Sequence, residues 1–189
     1  MLTLKRISLY AVLGIALAVM LVGLTDVVRV AFDRAGDILD SRSYVSEDMR
    51  TELSWALALV IVATPVVLVP LGLVRRSLRG PAVTAADERA CASRATYFFI
   101  VLVATGFVAG MRLVELGETL IGTLAYGHRA WELGASAAGS LVIGSAWLAH
   151  VWARRRDLYA APEHTAGDWL TRGYLYGALF TAALLACVG

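Results

Sequence analysis

Charge is what five long stretches of this chain lack. Residues 7–24, 53–74, 95–111, 133–153 and 173–189 contain no Asp, Glu, Lys or Arg. A hydrocarbon core of roughly 30 Å is crossed by about 20 apolar residues at the rise of a helix. Each run can therefore span a bilayer, the shortest by borrowing a neighbour or two. Charged residues make up only 17% of the chain and hydrophobic ones 59%, a balance that closes a soluble-enzyme reading. The runs are continuous and do not alternate in polarity, which argues against barrel strands. The first run lacks a small-residue cleavage site and is followed directly by Asp26, Arg29, Asp33 and Arg34, so it does not read as a cleaved signal peptide.

The usual carriers of chemistry are missing as well. There is no glycine-rich phosphate loop, no Walker lysine, no HExxH pair and no nucleophile elbow. The two cysteines, Cys91 and Cys187, fall on opposite sides of the expected membrane and cannot pair. His128 and His164 fall in opposite loops, so the three histidines cannot share a metal. His150 is the histidine inside a span. Haem or chlorophyll through His150 is a possible ligand role, but no second histidine faces it, which argues against bis-His haem ligation. The expected cofactor is therefore none. The spans also lack the buried Asp, Glu, Asn or Gln of a coupled transporter. Only Pro65 and Pro70 interrupt one, and a kink after Thr64 is expected there. The basic loops contain no nucleic-acid module, and no enzymatic activity is expected.

What is present is an ordered pattern of arginines. Lys5 and Arg6 precede the first run. Arg75, Arg76, Arg79, Arg89 and Arg94 fill the second connection, and Arg154, Arg155, Arg156 and Arg172 the fourth. The positive-inside rule places these segments and the N-terminus in the cytoplasm, with the C-terminus outside. Arg75, Arg76, Arg154, Arg155 and Arg156 read as topology determinants or lipid headgroup contacts. Tyr10, Tyr97 and Tyr174 sit at the starts of odd-numbered spans. Trp55, Trp131, Trp147 and Trp152 mark the ends of others, as rings at headgroup depth do.

The same features repeat. A basic start, a Tyr, an outer turn and a basic exit recur, giving a first hairpin over 1–79 (spans 7–30 and 53–74) and a second over 80–156 (spans 95–117 and 133–153). Residues 157–189 hold a fifth span that opens a third unit. Repeats of two spans keep one orientation, so they relate by an axis near the membrane normal. The expected fold is an all-α polytopic transmembrane helical bundle of about five spans, built from parallel two-helix hairpin repeats.

The Arg-then-Tyr helix start from Arg94 to Tyr97, the exit from Pro70 to Arg76, and the stretch from Trp147 through His150 and Trp152 to Arg155 resemble a bacterial membrane domain of unknown function, DUF5671. The resemblance covers nearly the whole chain as two copies plus a partial third. The first copy departs from it at Pro70 and Leu71, where Trp or His would stand. It implies a multi-pass protein of the bacterial cytoplasmic (inner) membrane and no activity.

An ionisable side chain within a span is a functional candidate, because lipid makes it costly. Asp26 and Arg29 lie three apart at the outer end of span one, and Arg112 and Glu115 three apart at the outer end of span three. Their opposite order predicts an outer polar cluster in which Asp26 pairs with Arg112 and Arg29 with Glu115. Small residues at Gly106 and Gly110, and at Ala135 and Gly139, predict that spans three and four form the close central pair. The expected function is a non-catalytic integral membrane protein, a scaffold or accessory subunit packing against other membrane subunits, itself and membrane lipids. The alternatives are a small channel or transporter with an outer polar vestibule, and a haem- or pigment-binding subunit through His150.

Overall fold

The structure, a computed structural model, describes residues 2–39, 47–126 and 130–160, together with residue 173. The described residues form five helices and no strand: α1 (Leu2–Leu39), α2 (Glu47–Arg79), α3 (Ala82–Ala90), α4 (Ala92–Tyr126) and α5 (Ala130–Ala160). Four of these are long and apolar enough to cross a membrane, over Leu4–Gly36, Met49–Arg79, Ala92–Tyr126 and Ala130–Asp157. The chain is a polytopic helical membrane protein. The fifth span expected at 173–189 lies outside the described residues, apart from residue 173.

The helices outrun the apolar stretches that predict them. α1 has 38 residues, so at 1.5 Å per residue it is about 57 Å long, nearly twice a hydrocarbon core. No proline interrupts the sequence from Thr25 to Leu39, and a helix already nucleated extends one hydrogen bond at a time through such polar turns. α2 remains one helix across Pro65 and Pro70. Thr64, just before the first proline, donates its hydroxyl to the Val60 carbonyl at 2.6 Å. The second connection, expected to be a loop, contains α3. Pro81 sits at its N-cap, where a residue without an N–H costs the helix nothing. α5 continues past Arg156, the expected end of the second hairpin, to Ala160.

α1 is the hub of the bundle. It packs against α2, α4 and α5, whereas α2 makes no substantial contact with α4 or α5. The third and fourth spans, α4 and α5, do pack together as expected, but α1 and not that pair is central. Tyr10, Leu13, Leu17 and Leu21 form one buried stripe on α1, at the spacing of a helix face. They meet Val67 and Val74 of α2, Phe98, Val101 and Leu102 of α4, and Ile143 of α5. Outward-facing apolar residues such as Ile61, Val62, Leu68 and Val69 are exposed, as expected where lipid is the solvent.

Close approach occurs at Gly106, though against a different part of α5 from the one expected, and at further glycines. A Cβ on Gly23 would stand 3.0 Å from the Ala56 carbonyl oxygen and from Leu59 and Val60, so α1 and α2 nearly touch there. Further along α1, Gly36 lies beneath the Trp131 indole, and Phe32 lies against Gly134. Each helix thus offers a ring to the other's glycine. A Cβ on Gly106 would stand 3.0 Å from the Trp147 indole nitrogen, so this glycine faces Trp147 and not the Ala135–Gly139 stretch. The antiparallel register explains this. Ser140 donates to the Arg112 carbonyl at 3.2 Å, so Ala135 and Gly139 stand level with α4 beyond Arg112. A Cβ on Gly139 would meet nothing within 4 Å.

Candidate functional site

Where the small residues of α5 fail to close on their neighbours, the bundle opens. A cavity of about 430 Å³ lies between α1, α4 and α5 at the end opposite the arginine clusters. α1 lines it with Thr25, Asp26, Arg29 and Asp33. α4 contributes Arg112, Glu115, Glu118 and Thr119, and α5 contributes Glu132, Ala135, Ser136 and Gly139. The spacings follow from the helical period: residues three or four apart share a face, and here those faces converge.

All four residues of the expected outer cluster line this one cavity, but they do not pair as expected. Arg29 reaches outward to Glu52 on α2 at 3.2 Å, and Arg112 takes Glu115 of its own helix at 2.7 Å. The i,i+3 contact wins for Arg112 because it needs no approach between helices. Five carboxylates and two guanidiniums give the lining a formal net charge of −3. Ser136, only 8% exposed, has a buried hydroxyl with no hydrogen-bond partner among the described residues.

The opposite end of the same three helices is sealed by a polar network. Arg94, at the start of α4, donates its Nε to Asp157 of α5 at 2.7 Å, and both side chains are under 10% exposed. Its Nη1 donates to the Tyr10 hydroxyl at 3.2 Å, and Tyr10 in turn donates to Glu88 of α3 at 2.5 Å. Arg6 closes the chain of contacts on Glu88 at 3.4 Å. The Arg94 guanidinium lies 5.2 Å from the centre of the Phe98 ring, and Arg154 approaches the same ring at 6.0 Å. Tyr10 and Tyr97 stack with centroids 5.3 Å apart.

His150 completes this layer. Its Nδ1 lies 2.7 Å from the Ala146 carbonyl, which can only accept, so Nδ1 carries the proton. Nε2 is then the acceptor for the Tyr97 hydroxyl at 3.1 Å. Both ring nitrogens are engaged inside the protein.

Several sequence assignments change accordingly. Tyr10 and Tyr97, read as headgroup-depth rings, are buried, Tyr10 to 4% exposure. Arg154, read as a topology or lipid residue, is buried, while Arg75, Arg76, Arg155 and Arg156 are exposed. Glu88 and Asp157 are not among the candidates that the sequence pattern singles out. The available signal is an acid embedded in each basic segment, Glu88 beside Asp87 and Arg89, and Asp157 directly after Arg154, Arg155 and Arg156. Cys91, between α3 and α4, is a free thiol. Burial raises its pKa, but hydrogen bonds from Ser93, the Arg94 N–H and Arg6 outweigh that effect and hold it below the ordinary thiol range.

The family model described as "Domain of unknown function (DUF5671)" matches residues 6–125. The chain belongs to the DUF5671 family. No match was found among curated proteins or among solved structures. The DUF5671 segment takes in Tyr10, Glu88 and Arg94 of the sealed end, and Asp26, Arg29, Arg112 and Glu115 of the cavity. Ser136, His150 and Asp157 come from α5, beyond it.

Proposed function

We propose that this DUF5671 protein is a small channel- or transporter-type membrane protein that receives a solute in the acidic-end cavity. One observation carries the reading: α1, α4 and α5 enclose an open polar cavity at one end and a dehydrated charged seal at the other. A bundle that served only to pack would have no need of a charged recess. Polar residues at membrane depth mark solute paths more often than structural sites. The arginine-rich end, by the positive-inside rule, is cytoplasmic. The cavity then opens to the outside of a bacterial inner membrane, and α1–α2 and α4–α5 are the two parallel hairpins. The experiment is flux through proteoliposomes reconstituted with the full chain. Solute permeability should exceed that of empty vesicles, and Asp157→Asn, which loosens the seal, should raise it further. Permeability equal to empty vesicles for both proteins refutes the reading.

A second reading, a scaffold or accessory subunit, is favoured by α2. It is held by α1 and α3, and it turns Ile61, Val62, Leu68, Val69 and Leu73 outward. Native mass measurement after gentle extraction decides it, because a monomer with no co-purifying subunit removes it.

A further inference from the structure

α3 joins the two hairpins at the sealed end, and little apolar contact holds it there. It has nine residues. Isolated helices shorter than about 12–15 residues are marginal in water, so its neighbours must keep it in place. α3 packs against α2 and α4 and makes no substantial backbone contact with α1. Among its described side chains the buried ones are Ala85 and Glu88, whereas Val83 is exposed. Ala85 offers a single methyl group, which leaves Glu88 as the main anchor. Its Oε1 accepts from the Tyr10 hydroxyl at 2.5 Å, and its Oε2 faces Arg6 Nε at 3.4 Å. Both carboxylate oxygens are therefore engaged, by two side chains that lie four apart on one face of α1.

Both ends of α3 are breaks in the helical backbone. α2 ends at Arg79 and α4 begins at Ala92. Pro81 at the entry makes no side-chain cap bond, and Cys91 at the exit is extended, at φ −66° and ψ 125°. Such element-terminal residues absorb backbone rotation, so a short rod can swing between them while the long helices stay in place. Beneath this rod lies a second layer. Arg94 holds Asp157 at 2.7 Å and stands 5.2 Å from the centre of the Phe98 ring, and neither contact involves α3. Tyr10 couples the two layers, because its hydroxyl accepts from Arg94 while donating to Glu88.

We propose that α3 is a strap at the arginine-rich end of the bundle, latched to α1 by Glu88, which opens as a unit while the Arg94–Asp157 layer stays shut. The strap lies at the end opposite the cavity, and its opening needs no solute. Hydrogen–deuterium exchange of the full chain in lipid nanodiscs tests it. In the unmodified protein the amides of 85–91 should exchange faster than those of α4 around Val101 and Leu102. Glu88→Ala should accelerate them about tenfold or more, as expected for the loss of a charge-assisted hydrogen bond. The amides of α4 and α5 should not change. Alanine has the higher helix propensity, so faster exchange reports the lost latch and not a weaker helix. Arg6→Gln, which keeps the Tyr10 bond to Glu88, should give a smaller acceleration at the same amides, and it serves as the test if Glu88→Ala does not fold. Asp87→Asn, at an exposed acid beside Glu88, should change nothing. Unchanged exchange in both latch variants overturns the proposal, as does equal acceleration in all the helices, or an effect of Asp87→Asn as large as that of Glu88→Ala.

Discussion

Neutralising Asp157 should be among the most damaging single changes this bundle can suffer. Its carboxylate sits 2.7 Å from Arg94 Nε, and the two side chains are 6% and 7% exposed. At that distance and an effective dielectric of about 20, the attraction is roughly 6 kcal/mol. Part of it offsets the desolvation of the two ions, so the attraction alone is not the stability at stake. With Asp157→Asn, Arg94 remains buried with the Tyr10 hydroxyl and the Phe98 face as its described partners, and an uncompensated buried charge costs about 3–5 kcal/mol. Removing both charges with Arg94→Met and Asp157→Leu should cost less than either single change, with a coupling of about 2–3 kcal/mol. Unfolding by SDS titration in mixed micelles, followed by circular dichroism, gives all four corners of the cycle. Single-variant losses below about 1 kcal/mol, or strictly additive losses, would refute a desolvated pair at this end.

Further expectations concern other layers. Tyr97→Phe leaves His150 Nε2 without its donor and should cost about 1–2 kcal/mol in the same titration; an unchanged midpoint would mean that water or lipid replaces the hydroxyl. Gly23→Val pushes side-chain atoms into the Ala56 backbone and should cost about 1–3 kcal/mol, measured against Gly72→Val, where a Cβ would meet nothing within 4 Å. In a Cys187→Ser background, alkylation of Cys91 should accelerate at lower pH than a free cysteine peptide, because a lowered pKa leaves more thiolate at any pH below the ordinary value. Arg6→Ala should move that profile back up, and coincidence with the free peptide would refute the assigned hydrogen bonds. A reporter fused after Gly80 should read cytoplasmic, and an external signal would invert the orientation.

The spans were legible because lipid imposes one requirement, an uncharged helical run, that sequence displays directly. Their ends were not, since nothing in the polar segment after Thr25 distinguishes a continuing helix from a loop. The nine residues of α3 read as a charged connection for the same reason. The cavity was half legible. Asp26, Arg29, Arg112 and Glu115 stand out as charges bordering apolar runs, and helical spacing puts each pair on a face. Their partners were not legible, because the relative rotation of helices decides whether Arg29 meets Glu115 or Glu52. At the sealed end the abundance of arginine hid the significance of two of them. Arg94 and Arg154 look like their neighbours in sequence, and only the buried Asp157 and Phe98 set them apart.

Synthesis order gives the seal a timetable. Arg94 leaves the ribosome 63 residues before Asp157. At 5–20 residues per second, the guanidinium waits about 3 to 13 s before its carboxylate exists. Tyr10 waits longer still, for Glu88 first and then for Arg94. Throughout that interval the first three long helices can occupy the membrane while this end remains unneutralised and open to water or lipid phosphate. α5 therefore arrives as the closing element, and the chain becomes tight at this end only when its last basic segment, with the acid embedded in it, has been made.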